Sequence, residues 1–133
     1  MKNALEKLCE AIAYPDAIPD DATTTTLRVD GDDIQARLVG KRLVLSRVLL
    51  RDEKDLPQFA AYAAGRLLKE NAVLAWDEKD AACVLWQAID EQASTAQLMY
   101  FFEAFMNSCD WWVARVNALN APPVILSDMV IRP

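Results

Sequence analysis

"TTTTLRVDGDDIQARLVGKRLVLSRVLL", residues 23–50, decides how the chain is read. Its β-branched and aliphatic residues favour a pleated, half-buried surface, and Asp30-Gly31 and Gly40-Lys41 divide them with tight-turn chemistry. The stretch therefore predicts three strands joined by two hairpin turns. In the first, Thr25, Leu27 and Val29 alternate with Thr24, Thr26 and Arg28; in the second, Ile34, Ala36 and Leu38 alternate with Gln35 and Arg37. Each has one dry face and one wet face. The third strand, "RLVLSRVLL", is apolar at nearly every position, which predicts a central strand or one covered on both faces.

Upstream, residues 2–13 place Leu5, Leu8, Cys9 and Ile12 at helical spacing on one face, and the prolines and aspartates of "YPDAIPDD" end that helix in a loop. Downstream, residues 51–71 read as a helix with Asp52 and Asp55 as caps, Pro57 in its first turn and Lys69 in its last. Its alanine-rich middle and Gly65 suggest close approach by another element. "AVLAW" (72–76) and "AACVLWQAID" (81–90) flank the charged turn "DEKD" as a further hairpin, and residues 93–119 form a long helix. The double proline Pro122-Pro123 then breaks the pattern. The expected architecture is α+β, in the order α-β-β-β-α-β-β-α, a twisted antiparallel sheet with helices packed on it. Residues 1–120 make the single domain and residues 121–133 an extended C-terminal tail.

On the last helix Leu98, Phe102, Phe105, Cys109, Trp112, Val116 and Leu119 follow a four-three spacing and draw one apolar stripe. Trp112 belongs to the stripe and is expected to pack on the sheet. Trp111 lies off it, where it can cover a sheet edge, stack on Arg115 or meet another chain. In the second hairpin, Trp76 and Trp86 make both sides apolar if they alternate with Leu74 and Leu85. Such a sheet needs its other face covered by a second protomer, by a ligand polypeptide, or by the chain's own tail with Val124, Ile125 and Leu126.

The 133 residues carry 14 Lys plus Arg against 20 Asp plus Glu, a net charge of -6, which argues against nucleic acid and anionic membrane as partners. A basic or polar polypeptide segment suits this charge better. Cys9, Cys83 and Cys109 are odd in number and sit among apolar residues, as expected of buried thiols in a reducing cytoplasm. The N-terminus lacks the pattern of a secretion signal, and no window approaches a membrane span. The absence of histidine removes the commonest general base, the usual triads and most zinc sites. "DGDD" and "DEKD" are too short for a calcium loop and read as solvated turns, and the three glycines form no phosphate-binding loop. No catalytic residue, metal or cofactor is expected, and a binding role remains rather than an enzymatic one.

The order of elements resembles the class I type III secretion chaperones, the Tir-chaperone (CesT-like) family. The likeness covers roughly residues 1–120: the amphipathic first helix, the three strands of residues 27–50, "FAAYAAGRLLKEN", "AVLAWDEKDAACVLWQAI" and "LMYFFEAFMNSCDWWVARVNAL". It is a match of pattern and order. The resemblance implies a cytoplasmic, non-enzymatic homodimer that binds the N-terminal segment of a secreted effector in extended form and hands it to the type III export apparatus. It places effector binding at Leu5, Leu8, Ile12, Leu27, Val29, Ile34 and Leu38. The dimer surface falls on Tyr62, Gly65, Leu74, Trp76, Trp86 and Trp111. The tail "APPVILSDMVIRP" departs from the family pattern. The alternative reading is a regulatory or assembly module that binds a folded partner.

Overall fold

The computed structural model describes residues 3–16, 18–19, 22–51, 72–79 and 81–119. The helix expected over 51–71, with Tyr62 and Gly65, lies outside the described residues except for Arg51, and so does the tail 121–133.

Helix α1 spans Ala4–Ala11; the Asn3 side chain accepts a hydrogen bond from the Glu6 N–H at 2.9 Å and so satisfies one orphan donor of its first turn. The chain leaves α1 through a left-handed residue, Ala13 (φ 52°), while the Ala13 and Tyr14 N–H groups donate to the Glu10 and Cys9 carbonyls. This pair of bonds is the Schellman arrangement, here built on alanine where glycine is usual. Strands β1 (Thr24–Val29), β2 (Asp32–Val39) and β3 (Arg42–Leu50) follow as two antiparallel hairpins. Asp30 (φ 52°) and Gly31 (φ 83°) make the first turn, both residues in the positive-φ region that a type I′ turn demands. Strands β4 (Val73–Asp77) and β5 (Ala82–Asp90) form the third hairpin. Helix α2 spans Thr95–Leu119 and opens with a capping box: the Gln97 N–H donates to Ser94 Oγ at 3.2 Å and the Ser94 N–H to Gln97 Oε1 at 2.8 Å.

The sheet order is β1-β2-β3-β5-β4, antiparallel at every described pairing, with β3 in the middle as its apolar sequence predicts. A bulge between Val48 and Leu50 lets β3 end out of phase with β5. Both helices pack on one face. Leu5 and Leu8 of α1, Leu27, Ile34, Leu43, Leu45 and Leu85 of the sheet, and Leu98, Phe105, Cys109 and Trp112 of α2 belong to one core. The stripe on α2 is thus observed from Leu98 to Trp112, with Val116 half-buried; the Leu119 side chain lies outside the described set. An ion pair crosses the rim of this core, where the Arg47 guanidinium grips the Asp32 carboxylate at 2.8 and 3.1 Å. On the opposite face, Gln35, Arg37, Val44, Val48, Val84 and Trp86 help line a shallow depression of about 610 Å³.

Candidate functional site

Among the described residues β1 pairs on one side only, with β2, and its hydrogen-bonding parity follows from two contacts. The Leu38 N–H donates to the Thr23 carbonyl at 2.7 Å, which turns the odd-numbered residues of β1 toward β2. The Arg28 N–H donates instead to the Tyr14 hydroxyl at 3.1 Å, on the outer side. Thr24 and Thr26 therefore present their N–H and C=O groups outward, a template for an added strand, while Tyr14 caps the edge at Arg28. Tyr14 reaches that position because it follows Ala13 in the turn that closes α1.

The residues assigned to effector binding divide into two sets around this edge. Leu5, Leu8, Leu27 and Ile34 are each 0% exposed and form the core between α1 and the sheet. Ile12, Val29 and Leu38 are half-buried against that core and keep accessible apolar surface. Val29 and Leu38 lie near opposite ends of β1, since Val29 pairs with Asp32 and Leu38 bonds to Thr23.

Of the residues assigned to the dimer surface, Leu74, Trp76, Trp86 and Trp111 are described, and strand register puts Leu74 and Trp86 on opposite faces of the sheet. Register pairs Leu74 with Leu85 and Trp76 with Cys83, giving both the parity of the helix-bearing face; Leu74 packs on the core there, whereas Trp76, on the outer strand, also borders the depression on the other side. Trp86 pairs with Ser46 and Val73 on the opposite face. The alternation expected between Trp76 and Leu74 is therefore corrected: residues two apart in a strand share a face, and only Trp86 opposes its neighbour Leu85. Trp111 is half-buried against its own core; its ring meets Trp112 edge-on at 4.9 Å, and the Arg115 guanidinium sits 4.2 Å from its centroid. Of the three options the sequence leaves, stacking on Arg115 is the one observed.

A second edge feature was not singled out from the sequence. Strand β5 has nine residues and β4 five, and β4 pairs only with Ala82–Trp86. From Gln87 to Asp90 the side of β5 next to β4 has no ladder partner among the described residues. A cavity of about 450 Å³ opens there, between the start of β4 and Phe101 of α2. Gln87 lines it, 2% exposed, and among the described residues its side-chain amide has no hydrogen-bond partner. The signal was present in "CVLWQAI", where a glutamine falls in phase with the inward-facing Leu85 and Ile89.

All three thiols are free and buried. Burial pushes Cys109 up to about 12, with Arg47 partly opposing it, and raises Cys9 and Cys83 as well. Among the described residues no three acidic or thiol groups converge on a metal position, and no helix is long and apolar enough to cross a membrane.

The described arrangement, helices α1 and α2 on a five-stranded antiparallel sheet, resembles solved structures. The chaperone–effector complex of HopA1 and SchA contains a chain that superposes with a TM-score of 0.65 at 23% identity, over 84% of this chain and 91% of that one. The fold is that of the secretion chaperones. The Yersinia pestis type III secretion chaperone SycH, solved with a fragment of YscM2, matches with a TM-score of 0.55 at 14% identity, over 79% of this chain and 92% of that one. YbjN of E. coli, described as a putative transcription regulator, matches with a TM-score of 0.64 at 12% identity, over 89% of this chain and 93% of that one. No family model matches the sequence, and no curated protein is significantly similar to it.

Proposed function

We propose that the chain is a class I type III secretion chaperone of the Tir-chaperone kind, which binds the N-terminal segment of a secreted effector in the cytoplasm and keeps it competent for export. The observation that carries this reading is the outer edge of β1, unpaired among the described residues and flanked by half-buried Val29 and Leu38, in a fold shared with a chain solved as a chaperone–effector complex. An extended client strand hydrogen-bonds to Thr24 and Thr26 and sets alternate apolar side chains against the accessible surface of Ile12, Val29 and Leu38. Leu5, Leu8, Leu27 and Ile34 support that surface from beneath. The acidic net charge of -6 favours a client segment that is basic or polar. The reading includes a homodimer through Tyr62, Gly65, Leu74, Trp76, Trp86 and Trp111, delivery to the export apparatus, and no catalysis.

Likeness to YbjN favours a second reading, a regulatory module that binds a folded partner. Affinity purification from the native cell followed by limited proteolysis separates the two. A chaperone protects an N-terminal segment that is cleaved when the partner is alone. Capture of a partner whose N-terminus stays exposed to protease supports the regulatory reading instead.

A further inference from the structure

We propose that the two ends of α1 act as stops on the outer edge of β1, so that a client strand pairs only with Thr24 and Thr26, in a fixed position and over a short length. The proposal rests on the client site at β1 given above and adds its limits. At one end both backbone groups of Ala22 are taken within the chain. Its N–H donates to the Pro19 carbonyl at 3.2 Å, and its carbonyl accepts from Asn3 Nδ2 at 3.4 Å. At the other end the Tyr14 hydroxyl takes the Arg28 N–H at 3.1 Å. Between these points Thr24 and Thr26 are exposed, and among the described residues neither backbone has a partner on its outer side. The edge is thus closed at Ala22, open at Thr24 and Thr26, and closed again at Arg28.

Both stops belong to one element. Asn3 is the N-cap of α1: its Oδ1 holds the Glu6 N–H while its Nδ2 reaches Ala22. Tyr14 follows the turn at the opposite end of the same helix. From cap to cap α1 rises about 14 Å, whereas Ala22 to Arg28 covers about 20 Å of extended chain, and the closing turn and the phenol make up the difference. The length of α1 therefore sets the length of the open edge. Each outward residue of a strand offers one donor and one acceptor, so Thr24 and Thr26 hold about three residues of an antiparallel client or about five of a parallel one. A longer strand runs into the Tyr14 ring, which packs against the core. The occupant that fits is a short extended segment, polar beside each exposed threonine and apolar between them, where the side chain turns toward Ile12 and Val29. Lysine suits the polar positions in a chain of net charge -6.

The test uses the full-length protein, labelled with nitrogen-15, and a blocked heptapeptide of alternating lysine and valine, with amide hydrogen exchange read residue by residue. In the wild type the peptide should add protection at Thr24 and Thr26 and leave the Ala22 and Arg28 amides unchanged. Tyr14→Ala removes one stop, so the Arg28 amide should exchange faster in the free variant and become protected once peptide is added. The variant should also bind the heptapeptide about fivefold tighter, as expected for one more hydrogen bond. A tyrosine that served only to pack the loop would weaken the peptide or leave its affinity unchanged. If Tyr14→Ala fails to fold, the wild-type map decides alone. Peptide-dependent protection that reaches Ala22 or Arg28 in the wild type overturns the stops while leaving the client site standing, and so does a folded Tyr14→Ala whose Arg28 amide gains none. Absence of new protection at Thr24 and Thr26 removes the client site and the stops together. Protection there that follows protein concentration without peptide would also overturn the proposal, by showing a second copy on the edge.

Discussion

Ala13 sits in the left-handed region at φ 52°, where an L side chain crowds the backbone, so the turn that aims Tyr14 at β1 stores strain. Ala13→Gly should relieve it and stabilise the fold by about 0.5–1 kcal/mol, after the greater entropy glycine loses on folding. Denaturant unfolding at constant slope measures this directly. At Leu8 the outcome is opposite. The side chain has no exposed surface, so Leu8→Glu buries a carboxylate in the core and should unfold the domain, a loss of about 3 kcal/mol or more. Leu38→Glu, at a half-buried position, should leave the circular dichroism spectrum intact and still weaken client capture. Sequence alone could not separate these two leucines, because core and rim both demand an apolar residue in phase with the strand or helix.

At the scale of elements, the three strands of residues 23–50 were legible because period-two alternation and the Asp-Gly turn agree on one register, and the observed pairs Leu27–Ile34 and Ala36–Leu45 follow it. The stripe on α2 was legible for the same reason at helical period. What the sequence left open were edges and faces. The described β4 is shorter than β5, which no local pattern announces, and Tyr14 meets Arg28 across a loop whose path no local pattern dictates. The capping box Ser94-Thr95-Ala96-Gln97 was readable and marks the start of α2. The Tyr14 contact carries its own prediction. Tyr14→Phe keeps the ring and removes the acceptor, so the Arg28 amide should exchange with deuterium about five- to tenfold faster, as expected for loss of about 1 kcal/mol. An unchanged rate would mean that the edge is shielded by something other than the hydroxyl.

At the scale of the molecule, both described helices cover one face of the sheet, and the other face carries Trp86, Val44, Val48 and Val84 in a shallow depression. This partly apolar depression among the described residues supports the homodimer proposed above. The same layout leaves β1 as a sheet edge on the far side from β4, so client binding and self-association need not compete for one strand. The central claim is that an extended client segment adds to β1. Hydrogen exchange of the protein alone and in complex with the N-terminal segment of its copurified client tests it most directly. New protection is expected at the Thr24 and Thr26 amides, with the Arg28 amide already slowed in the free protein. Protection confined to other strands, with Thr24 and Thr26 exchanging as fast in the complex as without it, would contradict it.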